Sequence, residues 1–132
     1  MGVFLSCYNY FNMNREELIK KCLIDKDAIV TYPFQDKQNQ NTPILRHKSN
    51  NKWFGVIFEQ NGILFINLKA PPDTIWALRD QYPECIFPAW HMNKKHWFKV
   101  DVNTIEPDVL DTIIKISFDI TKSKKELSSN FK

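Results

Sequence analysis

The sequence predicts a single α+β domain in which three helices pack on one antiparallel sheet of five strands, in the order α-β-β-β-α-β-β-α. Three observations predict this class. Short segments alternate apolar and polar residues, as strands with one buried face do. The dipeptide Asn61-Gly62 separates two of these segments, and Asn-Gly is the strongest short hairpin signal because both residues must adopt positive φ. Other segments repeat apolar residues at helical spacing behind an asparagine or a proline, which favour helix starts.

The first helix is predicted to begin after Asn14. Asn14 is a suitable N-cap, and Glu17 three residues later completes a capping box. Residues 1–12 therefore lie outside this helix as an N-terminal extension, which is either packed on the domain or the result of a misplaced start codon, with Met13 as the alternative start. We expect residues 13–132 to form the single domain.

Local signals predict the remaining elements. Residues 25–41 are rich in Asp, Gln and Asn and are interpreted as a loop. Pro72 and Pro107 suit the first positions of the second and third helices. The predicted strands are Ile44–Lys48, Trp53–Glu59, Ile63–Lys69, Cys85–Trp90 and Trp97–Val102.

Strand alternation assigns two faces to the predicted sheet. The face expected in the core carries Phe54, Val56, Phe58, Leu64, Ile66, Leu68, Phe98, Val100 and Val102. The opposite face carries Trp53, Ile57, Phe65, Asn67, Lys69, Trp97, Lys99 and Asp101. That second face is unusually aromatic and partly cationic, which is typical of a contact surface. The alternative is that the C-terminal helix or the N-terminal extension covers it.

Charge is unevenly distributed along a chain whose net charge is only +3. The stretches Lys37–Phe58 and Phe87–Val100 carry four and three cations and no carboxylate, which indicates a basic surface. Three scattered cysteines without CxxC spacing indicate reduced thiols rather than a zinc site or a disulfide framework. The chain shows no signal-peptide pattern and no apolar run near the ~20 residues of a membrane span, so we expect a cytoplasmic protein without a membrane partner.

The segment Pro88-Ala-Trp-His-Met-Asn-Lys-Lys-His-Trp97 is the most informative stretch. Its Trp, His, Asn and Lys side chains are costly to bury together, so it is expected to face solvent or a partner. With this segment, the chain resembles the MmcQ/YjbR family from about Met13 to Leu127. The other matching pieces are Arg15-Glu-Glu-Leu18, Tyr32-Pro-Phe34, Asn67-Leu-Lys69, Leu78-Arg79, Tyr82-Pro83 and Ser117-Phe118.

The resemblance implies a small bacterial protein with a two-layer α+β fold, like that of secretion chaperones. It also implies a double-wing arrangement that is suggested to bind DNA, in a family whose function is otherwise unknown. One departure is Pro71, because family members usually have an N-capping Asp before the proline that opens the second helix. Its loss costs about 1 kcal/mol of helix stability.

The candidate site residues fall into two sets. Cations at hairpin tips can contact phosphates without reading sequence, and tryptophans can stack on unpaired bases. The predicted nucleic-acid contacts are Arg46, Lys48, Lys52, Lys94, Lys95, Lys99 and Trp97. The residues assigned to the motif or to loop structure are Tyr32, Pro33, Phe34, Lys69, His91, Met92, Asn93 and His96.

No catalytic residue, metal or cofactor is expected, and the protein is not expected to be an enzyme. His91 and His96 are the obvious metal candidates, but their segment contains no Cys, Asp or Glu as a third ligand. We therefore favour histidines that hydrogen-bond the loop backbone. Three functions stay open: DNA binding, a chaperone-like protein-interaction module, and a small-ligand site beneath His91, Asn93 and Tyr32.

Overall fold

The computed structural model describes residues 12–89 and 92–122, which form three helices and six strands. The strands make one antiparallel sheet in the order β1-β2-β3-β4-β6-β5. Apolar residues of all three helices join one face of this sheet in a single core. The elements are α1 (Arg15–Cys22), β1 (Ala28–Thr31), β2 (Ile44–His47), β3 (Trp53–Gln60), β4 (Ile63–Lys69), α2 (Pro72–Gln81), β5 (Ile86–Pro88), β6 (Trp97–Asp101) and α3 (Pro107–Ile120).

The α+β class is confirmed, but the sheet has six strands in the described residues rather than the predicted five. The additional strand is β1, which lies inside the stretch interpreted as a loop. It pairs with β2 at the edge of the sheet. Four residues are too short to show an alternating pattern, and only pairing with a segment 13 or more residues away makes β1 a strand.

The predicted local signals form as expected. The Asn14 side chain accepts a hydrogen bond from the Glu17 N–H at 2.9 Å, and Glu17 accepts one from the Asn14 N–H at 3.1 Å. The β3–β4 turn places Asn61 and Gly62 at φ values of 54° and 78°, both in the left-handed region that a type I′ turn requires. Helix α2 begins at Pro72 behind Pro71, which provides no side-chain cap.

A β-bulge in β3 overturns part of the predicted face assignment. Leu45 pairs with Gly55 but its neighbour Arg46 pairs with Trp53, so Phe54 has no partner on β2. Beyond this extra residue the alternation is reversed, since one additional residue moves every later side chain to the other face. Ile57 is therefore buried in the core, whereas Val56 and Phe58 lie on the face opposite the helices, contrary to the prediction.

Ser117 of α3 satisfies the backbone at this bulge. Its hydroxyl donates to the Phe54 carbonyl at 2.6 Å and accepts from the Lys69 N–H at 2.8 Å. The Ser117 side chain is fully buried, so water cannot replace its hydroxyl as the hydrogen-bond partner of these two backbone groups. Ser117 thereby bridges the bulged residue of β3 to the end of β4.

A buried histidine joins β2 to α3 and to the turn before β1. His47 is fully buried, with Nδ1 2.8 Å from Asp27 Oδ2 and Nε2 2.9 Å from the Phe118 carbonyl oxygen. The imidazole also packs on the Phe118 ring at 4.3 Å. The sequence does not single out this histidine, because nothing local distinguishes it from a surface residue of a basic hairpin.

Candidate functional site

The sheet face opposite the helices, called here the open face, carries side chains from four adjacent strands. Cross-strand pairing places Arg46 beside Trp53, Lys69 beside Trp97, and Phe58 beside Phe65. The described residues that define the open face are Arg46, Trp53, Val56, Phe58, Phe65, Asn67, Lys69, Trp97, Lys99 and Asp101. None of them belongs to the core cluster beneath the helices.

A groove with a volume of about 880 Å³ crosses the open face. Its floor is formed by Val56, Asn67 and Lys99 of three neighbouring strands, which are cross-strand partners of one another. One side is formed by the segment after β1, which contributes Phe34 and three polar residues. Met92 lines the groove from the segment before β6. This volume lies within the range of about 300–1,000 Å³ that is typical of ligand sites.

Phe34, Trp53 and Phe58 line the groove, and each of them packs against another aromatic ring. Phe34 meets Trp53 edge to face with ring centroids 6.0 Å apart. Phe58 stacks on Phe65 at 5.5 Å. Both arrangements are favourable for aromatic rings, so each pair is a rigid apolar surface rather than a loose cluster.

The predicted cations gather at one end of the sheet. Strands β3 and β6 both begin at this end, because each runs antiparallel to β4, which ends there at Lys69. The turn before β3 carries exposed Lys48 and Lys52, and the turn before β6 carries exposed Lys94 and Lys95. The two basic stretches of the sequence are thus brought to the same end of the open face.

Lys99 is held in the groove by aromatic rings. Its Nζ lies 4.5 Å from the centroid of Phe65 and 5.5 Å from that of Phe87, both distances typical of cation–π contacts. No carboxylate of the described residues forms an ion pair with it. The positive charge is therefore positioned without a direct ion pair among the described residues, although Glu59 lines the same groove.

Asn67 leaves a hydrogen-bond acceptor unused in the same groove. The residue is 5% exposed, and its Nδ2 donates to Met92 Sδ at 3.2 Å, a weak acceptor. Its Oδ1 is buried and has no hydrogen-bond partner among residues 12–89 and 92–122. Buried polar atoms nearly always have one, so this atom requires a physical explanation. Arg46 Nε is a second buried, unpartnered atom on the open face.

The loop residues assigned from the motif take distinct places. Asn93 fixes the turn before β6: its side chain accepts from the Lys95 N–H at 3.0 Å, and its carbonyl accepts from the His96 and Trp97 N–H groups. The His96 carbonyl accepts from the Ala70 N–H at 3.0 Å, which anchors this turn to the end of β4. Tyr32 and Pro33 are exposed. His91 and Trp90 lie outside the described residues.

The two described cysteines are buried and poorly suited to nucleophilic chemistry. Burial raises the pKa of Cys22 to about 12. Burial also raises the pKa of Cys85, whose thiol donates to the Thr104 carbonyl at 3.3 Å. Over residues 12–89 and 92–122, no three His, Cys, Asp or Glu side chains come together as metal ligands. No helix within those ranges combines the length and apolarity needed to cross a membrane.

Strand alternation in the sequence misses half of the groove. It assigns Val56 and Phe58 to the core, and it gives no role to the polar residues Gln38, Asn39 and Thr42. The signal that could have located the bulge is Gly55, because an isolated glycine in a strand indicates a bulge or a close backbone approach. A Cβ at Gly55 would lie 3.3 Å from Leu45 Cβ.

Comparison with known proteins identifies the family. A family model described as YjbR matches residues 26–120. The chain belongs to the YjbR family. It is 32% identical over 121 residues to the uncharacterized protein YyaQ of Bacillus subtilis, covering 83% of this chain and 99% of that protein. It is also 43% identical over 53 residues to the uncharacterized protein YbdF of Escherichia coli O157:H7, covering 40% and 43% of the two chains.

Two solved structures share the fold. A crystal structure of a protein from Pseudomonas syringae has a TM-score of 0.70 and 28% identity, covering 83% of this chain and all of that one. Protein DR2400 of Deinococcus radiodurans, described by the domain name DUF419, has a TM-score of 0.69 and 25% identity, covering 83% and 79%. Membership of the YjbR family establishes the fold, and the names of these relatives assign no activity.

Proposed function

We propose that this YjbR-family protein binds nucleic acid through the open face. The observation that carries the proposal is the alternation of cations and tryptophans across four adjacent strands: Arg46 beside Trp53, and Lys69 beside Trp97. Lys69 Nζ lies 5.9 Å from the Trp97 ring centroid. The basic turns that carry Lys52 and Lys95 lie at the same end of the sheet.

The alternation of cations and aromatic rings matches the alternation of phosphates and flat bases along a nucleic-acid strand. Neighbouring strands lie about 4.8 Å apart, so the row from β2 to β6 spans about 14 Å. That distance corresponds to about four nucleotides of one strand at a rise of about 3.4 Å each. Cations along the row can neutralise successive phosphates, while the ring faces between them offer stacking surfaces.

The test is fluorescence anisotropy of labelled single-stranded and duplex oligonucleotides against the purified chain, from low to physiological salt. The matched variants each remove two positive charges: Lys52→Ala plus Lys95→Ala on the open-face side, and Lys20→Ala plus Lys115→Ala on the helical side. For each phosphate that a variant no longer neutralises, the log–log salt slope should fall by about 0.7 for a single strand and about 0.9 for a duplex. We expect a reduced slope only in the first variant.

Two outcomes would refute the proposal. One is the same affinity and salt slope in both double variants, which would mean that the cations near the open face bind no phosphate. The other is an absence of binding to any oligonucleotide at low salt. Capture of an apolar peptide with little salt dependence would instead support the chaperone-like alternative.

A further inference from the structure

We infer that the groove on the open face holds an unpaired base of single-stranded nucleic acid, with Asn67 Oδ1 accepting a hydrogen bond from an N–H group of the base. This inference rests on the proposed function and specifies the strand state that the face selects. It assigns a role to three features of the groove: an unused acceptor, aromatic sides and a cation that has no direct ion pair among the described residues.

The unused acceptor defines the chemistry of the occupant. Asn67 lines the groove, and its Oδ1 is buried without a partner among the described residues, whereas its Nδ2 is bonded to Met92 Sδ. An occupant must therefore bring a donor to this atom. Every nucleobase carries an N–H group beside an acceptor on its pairing edge. Lys99, the cross-strand partner of Asn67, lines the groove and can donate to that neighbouring acceptor.

The aromatic sides define the shape of the occupant. The Phe34–Trp53 pair and the Phe58 ring both line the groove, while its floor is a single strand-to-strand row of Val56, Asn67 and Lys99. A flat ring fits between such surfaces and gains stacking contacts of a kind that is tolerant of base identity. Trp53 is also the cross-strand partner of Arg46, so a base in the groove would have its phosphates near that cation.

The burial of Asn67 favours an unpaired base over a base in a duplex. The side chain is 5% exposed beneath the groove, whereas the pairing edge of a base in a duplex already bonds its complement. A duplex would have to release the base from its stack, which costs a few kcal/mol. A single strand presents the edge without that cost.

The experiment compares four probes on the full chain: a labelled oligothymidylate, an abasic oligonucleotide of equal length, a duplex of the same length, and thymidine monophosphate as a competitor. The abasic strand keeps the phosphates and lacks the ring. We expect oligothymidylate to bind at least about fivefold more tightly than the abasic strand, the lower end of the effect of one stacked base. The duplex should bind more weakly than oligothymidylate.

Variants locate the base in the groove. Asn67→Leu should weaken oligothymidylate binding about two- to tenfold, the effect of one hydrogen bond, and leave the abasic strand unaffected. Trp53→Ala should weaken oligothymidylate binding about fivefold or more. Trp76→Ala is the matched control, because Trp76 is 74% exposed on α2 and does not line the groove.

The outcomes separate this inference from the proposed function. The assignment of a base to the groove would be wrong if the oligothymidylate and abasic strands bound equally. It would also be wrong if the Asn67→Leu variant still preferred oligothymidylate to the abasic strand. Either result would leave the proposal of nucleic-acid binding intact. A duplex that binds as tightly as oligothymidylate would overturn the selection of an unpaired base. Competition by thymidine monophosphate at the same concentration as the oligonucleotide would assign the groove to free nucleotides instead. Failure of every probe to bind would overturn both proposals.

Discussion

Replacing Asn67 by leucine should stabilise the protein, which is unusual for a substitution at a buried position. The buried Oδ1 has no partner in the described part of the chain, and a buried unsatisfied acceptor costs about 1–3 kcal/mol. The bond from Nδ2 to Met92 Sδ is the only side-chain hydrogen bond of Asn67 among the described residues, and its acceptor is weak. Leucine has a similar branched shape and adds no polar atom. We expect the free energy of unfolding to rise by about 1 kcal/mol, or about 4 °C in Tm for a chain of this size.

Asn103 provides the matched control, because it is the same residue type at nearly the same burial, 6% exposed against 5%. Its Oδ1 accepts from the Met13 N–H at 2.7 Å and its Nδ2 donates to the Met13 carbonyl at 3.1 Å. Asn103→Leu removes both bonds and leaves two partly buried backbone groups unpaired. We expect it to lower the free energy of unfolding by about 1–3 kcal/mol.

Urea denaturation followed by fluorescence or circular dichroism measures both changes on one scale. The midpoints should move in opposite directions with unchanged m-values, since neither substitution alters the surface exposed on unfolding by much. If Asn67→Leu lowers the midpoint as Asn103→Leu does, then the Asn67 amide is satisfied in solution. In that case, the groove would contain no unused acceptor, and the argument that its occupant carries a hydrogen-bond donor would be refuted.

Three further predictions concern the scaffold. Ser117→Ala should lower the free energy of unfolding by about 2–4 kcal/mol in urea denaturation, since two buried backbone groups at the bulge lose their partner, whereas exposed Thr112→Ala should change it by less than about 0.5 kcal/mol. Because burial raises the pKa of Cys22 to about 12, mass spectrometry should find this thiol unmodified by iodoacetamide in the native protein and alkylated after unfolding. Partial burial alone would raise the pKa of Asp27, but hydrogen bonds from Ser49 and a buried imidazole lower it below its ordinary value of 3.8. Ionised Asp27 therefore stabilises the fold above pH 3.8, and this stabilisation is lost as the pH falls through the lowered pKa of the folded state. When the free energy of unfolding is measured against pH, the Asp27→Asn variant should lack this acid-dependent loss.

The parts of the fold that sequence predicts well are those whose signals are local. The capping box of α1 and the Asn61-Gly62 turn each depend on residues within a few positions of one another, and both form as expected. The edge strand β1 and the bulge at Phe54 depend on distant partners. The hydroxyl that satisfies the bulge comes from Ser117, 63 residues away in sequence. No local pattern reports a contact of that range.

The same distinction holds for the candidate site. Strand alternation places Trp53, Trp97, Lys69 and Lys99 on the face where the structure has them, whereas it assigns no face to Arg46. The groove does not follow from it, because the bulge moves Val56 and Phe58 out of the core and the segment after β1 supplies one side. Alternation places Asn67 on the correct face, but its unpaired oxygen depends on how Met92 packs against it.

The buried polar atoms without a hydrogen-bond partner differ between the two sides of the sheet. On the helical side, the buried side chains of His47, Ser117 and Thr121 all have partners within hydrogen-bond distance. Asp119 Oδ1 on α3 is buried without a hydrogen bond, but it lies 3.3 Å from the Lys122 ammonium, which neutralises it. On the open face, Arg46 Nε and Asn67 Oδ1 are buried without a hydrogen-bond partner among the described residues. Folding alone favours the first arrangement, because an unpaired buried group only costs stability. A face that keeps a donor and an acceptor unused, beside a Lys99 that has no direct ion pair among the described residues, gives up stability that a polar, anionic ligand can restore on binding. Substitutions that remove these polar atoms should therefore stabilise the fold and weaken the binding together.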